Sequence, residues 1–133
     1  MERAAMTDSI AGTHPLTMIV MVKRRPDLSP AAFREGYETS HSRIAVRLFG
    51  HLWLSYRRSY LQTGHSFDGR HGGPDIIEYD AISQFVLRDA AALEEMGRIT
   101  AANLAMIKED EARWFDQAKC WVVAAETVEE VLR

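Results

Sequence analysis

From Leu16 to Val22 the chain reads Leu-Thr-Met-Ile-Val-Met-Val, apolar at successive positions and rich in β-branched residues. This pattern predicts a strand buried on both faces. After the charged run Lys23, Arg24, Arg25, Ser29 is placed to cap a helix and Pro30 to open it. The apolar stripe of that helix is Phe33, Tyr37, Ile44 and Leu48, and at helical spacing His41 falls beside it and faces inward. Gly50 ends the helical region, and Leu52 to Leu61 reads as a second strand dense in aromatics. Residues 62–75 hold four glycines, one proline and two histidines and predict a long mobile loop of the lid type. A third strand follows over about Ile76 to Leu87. Asp89 then caps a second helical stretch with Leu93, Met96, Thr100, Leu104 and Ile107 on one face, and Lys119 to Ala124 forms a fourth strand.

The order β-α-β-β-α-β predicts an α+β, ferredoxin-like domain over residues 16–126: an antiparallel four-stranded sheet with both helices on one face. Residues 1–15 read as a loosely ordered leader and 127–133 as an acidic tail with room for one helical turn. Strands one and four are apolar on both faces, whereas two helices cover only one, so a second copy is the expected cover for the other. The space between the two sheets of such a homodimer is the expected seat of a ligand.

At 133 residues, 47% of them hydrophobic, the chain has material for one core. A net charge of -3 leaves no basic face for nucleic acid, and Lys23 to Arg25 read as a solvated strand end. Cys120 is the single cysteine, so neither an internal disulfide nor a multi-cysteine metal site can form, which suits a reducing cytoplasm. Met18 to Val22, the longest apolar run, is far short of the roughly 20 residues of a membrane helix. His65, Asp68 and His71 recur every three residues but sit among glycines, and no metal is assigned to them. Gly72 and Gly73 are not read as a phosphate cradle, because no helix start is expected after them.

Several short segments resemble one family in order and spacing. They are Lys23-Arg24-Arg25-Pro26 closing the first strand, Leu28-Ser29-Pro30-Ala31-Ala32-Phe33, and Gly36-Tyr37-Glu38-Thr39-Ser40-His41. Further on come Tyr56-Arg57-Arg58-Ser59-Tyr60, Tyr79-Asp80, and Asp110-Glu111 with Phe115-Asp116. Over about residues 16–126 the chain resembles the EthD family. The resemblance implies a dimeric α+β barrel without cofactor whose cavity is faced by the histidine of the first helix. Relatives are linked to dehydration or cyclisation of aromatic polyketides, and the wider superfamily includes isomerases, cofactor-free oxygenases and haem proteins. Where the family shows a small residue and proline after that histidine, this chain reads Ser42-Arg43-Ile44, so the helix is expected to run on through His41.

On that basis His41 is the candidate general acid/base. Tyr60 is a candidate catalytic partner, and Asp80 and Asp116 are the carboxylates expected to orient the imidazole. Tyr37, His51, Trp53, Tyr56 and Arg58 are candidate substrate contacts. By strand alternation Tyr56, Arg58 and Tyr60 share one face and Trp53, Ser55 and Arg57 the other, and an arginine between tyrosines would stabilise an enolate or phenolate. The expected function is a cofactor-independent lyase or dehydratase, cyclase or isomerase on a small aromatic or polyketide-like substrate. The alternatives are a cofactor-free monooxygenase and a non-catalytic accessory protein that binds a small molecule.

Overall fold

The computed structural model describes residues 14–133, so all but the last two residues of the expected leader lie outside it. Strand β1 (Leu16–Val22) leads into a helical run built of α1 (Pro30–Gly36), a π-helical turn (Tyr37–His41) and α2 (Ser42–Phe49). Ser29 caps α1 as expected, its Oγ accepting the Ala32 N–H at 3.1 Å. The run passes through His41 without a break, in line with the missing proline. A 3-10 turn (Gly50–Leu52) then delivers β2 (Trp53–Tyr60).

The segment expected to be an open loop carries structure of its own: the hairpin β3 (Gly64–His65) and β4 (His71–Gly72), then the single turn α3 (Pro74–Ile77). A helix start therefore does follow Gly73, although it is one turn long. Ile76 and Ile77 are exposed in α3, and the strand expected from Ile76 begins later, as β5 (Ala81–Leu87). The second helical stretch is divided at Asn103 into α4 (Ala90–Ala102) and α5 (Leu104–Trp114); a 3-10 turn (Gln117–Lys119) precedes β6 (Trp121–Ala125). Asp89 caps α4 through the Ala92 N–H at 2.8 Å. Of its expected apolar stripe, Met96, Thr100 and Ile107 face inward while Leu93 and Leu104 remain exposed. Residues 126–133 form no helical turn.

The four long strands make one antiparallel sheet in the order β2-β5-β1-β6. Ala81, Ser83, Phe85 and Leu87 of β5 are buried, whereas the alternate residues Ile82, Gln84 and Val86 are only partly covered, so all helices lie on one face. Two clusters fill the space beneath them. One is Val22, Phe33, Tyr37, Ala81 and Phe115; the other is Phe49, Leu52, Phe85, Leu87 and Ala92. Phe33 is 1% exposed and meets Tyr37, Tyr60 and Phe115 edge-on, each contact contributing roughly 0.5–1.5 kcal/mol beyond area burial.

The charged end of β1 is not a solvated strand end. Asp80, 4% exposed, accepts from the Arg24 backbone N–H and Nε, both at 2.9 Å, and lies 3.3 Å from Lys23 Nζ. These pairs lock the exit of β1 onto the entry of β5, because a buried carboxylate is tolerated only when its oxygens are satisfied. Arg25 alone behaves as expected, pairing with Asp27 in solvent.

Candidate functional site

A cavity of about 330 Å³ separates the sheet from the helices. It is lined by residues of one chain, and it is distinct from the space expected between the sheets of two copies. Its walls are mainly apolar: Val20 and Val22 of β1, Phe85 of β5, Ile44 and Phe49 of α2, Met96 of α4 and Ile107 of α5. It opens between α5, through Lys108 and Glu111, and the edge strand β6, through Trp121 and Val122. A volume of this order, apolar with few polar groups, suits a small organic ligand.

His41 stands in this wall. Its ring meets Phe115 and Tyr37 edge-on, with centroids 4.7 and 5.3 Å away, and its Nδ1 is 2.9 Å from Asp110 Oδ2. Asp110 is 1% exposed, and its Oδ1 accepts the Ser40 hydroxyl at 2.7 Å. An ionised carboxylate only accepts, so Nδ1–H donates to it, and the second ring nitrogen, Nε2, has no partner among the described residues. His41 and its carboxylate partner thus stand together in the cavity wall.

Asp110 is the carboxylate that reasoning from sequence missed as the partner of His41. Neither expected candidate fills that place. Asp80 is held by Arg24 and Lys23 away from the cavity, and Asp116 lies 3.9 Å from Lys119 Nζ while its carbonyl accepts from Cys120. The available signal was the Asp110-Glu111 pair on α5, and nothing local to it reports that it faces a residue 69 positions earlier.

Strand β2 divides its aromatics in a way simple alternation does not give. A bulge between Trp53 and Ser55 turns Trp53 to the face of Tyr56, so both line the cavity while Ser55 and Arg57 point away. Trp53 stacks on Phe85 at 4.5 Å. Tyr37 also lines the cavity, but its hydroxyl is engaged with Ser83 Oγ at 2.6 Å. Burial raises the pKa of both the Tyr37 and Tyr56 hydroxyls, so each remains a neutral donor across the physiological range. Burial likewise pushes the Cys120 thiol up, against nucleophilic use. His51 is exposed in the 3-10 turn, outside the cavity wall, where its carbonyl accepts from Arg88.

Arg58 and Tyr60 do not line the cavity. Glu38, which the sequence gave no reason to single out, takes both: Arg58 forks onto it at 2.6 and 2.7 Å and the Tyr60 hydroxyl donates to Oε2. The Arg58 pairing holds the Glu38 carboxyl at about 2, below its usual 4.5, with Tyr60 adding to the effect against partial burial. Since the folded value is the lower one, this pairing contributes its full stability above about pH 4.5 and loses it as the pH falls toward 2. Glu38→Gln should therefore melt lower than the parent at pH 7. The gap should close between those two values, and melting temperature against pH reads it.

The sheet order, the single layer of helices and the enclosed cavity together define a ferredoxin-like α+β subunit of the dimeric α+β barrel type. The EthD domain model matches residues 25–118, and the chain belongs to that family. Among solved structures it is similar to an EthD-like protein from Ralstonia eutropha JMP134, with 15% identity and a TM-score of 0.62 over 90% of this chain and 97% of that one. A second similar fold is that of At3g17210 from Arabidopsis thaliana, at 9% identity and a TM-score of 0.57 over 88% and 99% of the two chains. No curated protein matches the chain. Among the described residues no helix is long and apolar enough to cross a membrane, and no group of three or more metal-ligating side chains occurs.

Proposed function

We propose that this protein is a cofactor-independent enzyme, a lyase or dehydratase, cyclase or isomerase, in which His41 moves a proton on a small aromatic or polyketide-like substrate. The observation that carries the reading is the His41–Asp110 pair, set in an apolar cavity wall with Nε2 unengaged. Nε2 takes a proton from a carbon acid beside a carbonyl or from a phenol. The electron pair left behind moves onto oxygen as an enolate or phenolate. Asp110 stabilises the imidazolium that forms, and the protonated Tyr56 hydroxyl supplies a donor in the same wall. In a dehydration the imidazolium returns its proton to the departing hydroxyl, which leaves as water. In an isomerisation it returns the proton to carbon.

The apolar lining also supports a second reading, an accessory protein that binds an aromatic intermediate without turning it over. Saturable binding with no product across a panel of hydroxylated naphthalenes and anthrones would favour that reading. Turnover coupled to loss of dissolved O2 would instead mark a cofactor-free monooxygenase.

The chain is proposed to act as a homodimer, consistent with the apolar sheet face opposite the helices. That face presents Ile19, Met21, Ile82 and Val86, with Trp121 59% and Val123 36% exposed at the edge. Burying a face of this kind at roughly 25 cal/mol per Å² is strongly favourable. Ile82→Glu should shift the mass in light scattering from two chains to one; a parent that already runs as a single chain would remove the dimer.

A further inference from the structure

The geometry around Asp110 points to a residue that acts on His41 from behind. The Trp114 indole N–H lies 3.3 Å from Asp110 Oδ1, the oxygen that also accepts from Ser40, so Oδ2 is left for His41 Nδ1. Trp114 can stand there because position 36 is glycine. A Cβ on Gly36 would come within 2.2 Å of Trp114 Cε3 and 2.3 Å of Cζ3, an overlap no ordinary side-chain contact allows. The backbone of Trp114 is fixed as well, its carbonyl accepting the Arg25 N–H at 2.8 Å. Ser40 and His41, both in the π turn, grip the two oxygens of one carboxylate, and Trp114 closes the third side. A further neighbour is Arg113, whose side chain is more than half exposed and whose Nη1 is 3.8 Å from Oδ1. A carboxylate released by Trp114 has that guanidinium to turn toward.

We propose that Trp114, seated in the notch left by Gly36, is a positioning residue that holds the Asp110 carboxylate so that His41 keeps its proton on Nδ1 and offers Nε2 to the ligand. This rests on the acid/base reading of His41 and names what maintains its tautomer. A large aromatic residue packed on a helix is ordinarily read as core, and packing alone would move stability but not the position of a proton on another ring.

The test is the tautomer of His41 in the full chain, read from long-range ¹H–¹⁵N correlations of its imidazole at a pH where the ring is neutral. Free imidazole side chains favour Nε2–H, so the parent protein should show the reverse, with Nδ1–H predominant. Trp114→Phe keeps a ring in the notch and removes the donor. It should lower the Nδ1–H to Nε2–H ratio about two- to tenfold, the range of one hydrogen bond. Gly36→Ala keeps the donor but displaces its ring, and it should move the ratio the same way; if Trp114→Phe does not fold, Gly36→Ala decides. A folded variant with the parent ratio overturns the proposal even where His41→Gln abolishes turnover. A shifted ratio beside an unaffected His41→Gln would instead keep Trp114 as the positioning residue and remove the acid/base reading.

Discussion

His41→Gln should fold as the parent does and lose about 10²- to 10⁴-fold in turnover, the usual contribution of a positioned general acid/base. The glutamine amide keeps a donor for Asp110 but cannot take a proton at the position of Nε2. Affinity for substrate should change far less than turnover, since the walls around Ile44, Phe85 and Met96 are untouched. Single-turnover measurements with the panel of phenols and anthrones, paired with equilibrium binding, separate the two quantities. Unchanged turnover would remove the histidine mechanism, and lost binding with unchanged turnover per bound ligand would make His41 a contact only.

Asp80→Ala is expected to act in the opposite sense, lowering stability while the cavity keeps its ligand. Removing this carboxylate leaves Lys23 without a counter-charge and Arg24 with Asp75 alone, their side chains only 17% and 14% exposed. Stranding one side of a buried pair costs roughly 3–5 kcal/mol, and the partial exposure of the two cations puts the expectation near the lower figure. Urea unfolding should show the loss as a lower midpoint at unchanged slope. Ligand affinity within about twofold of the parent would accompany it. A variant as stable as the parent but unable to bind would return Asp80 to the site, where it was expected to orient the His41 imidazole.

The contrast between the two aspartates marks where reading a sequence ends. Periodicity, caps and punctuation are local properties, and they sufficed for the order of the main strands, for Ser29 and Asp89 at their helix starts, and for the inward turn of His41. They also sufficed for the family, whose motifs are short stretches in a fixed order. What a histidine faces is a tertiary fact: Asp110 is 69 residues away, on a helix whose phase depends on the break at Asn103. Glu38 escaped notice for the same reason, as its partners Arg58 and Tyr60 belong to another element. Strand β2 misled through a single residue, because a bulge shifts the alternation and brings Trp53 over to Tyr56. The burial pattern of β1 and β6 pointed to a seat between two sheets, whereas the cavity of the single chain lies on the other side of its sheet. The cavity sits under the helices, and the bare face is left for the proposed second copy.

Entry of a small aromatic ligand into this cavity, up to His41 Nε2, is read by titrating 2-naphthol into isotopically labelled protein and following the rings and methyls by NMR. Saturable shifts are expected at His41 Nε2, Tyr56, Phe115, Met96 and Ile44, with intermolecular contacts between the naphthol ring and those side chains. Contacts confined to Ile19, Ile82 and Val86 on the opposite face, with the His41 imidazole unmoved, would place the ligand elsewhere.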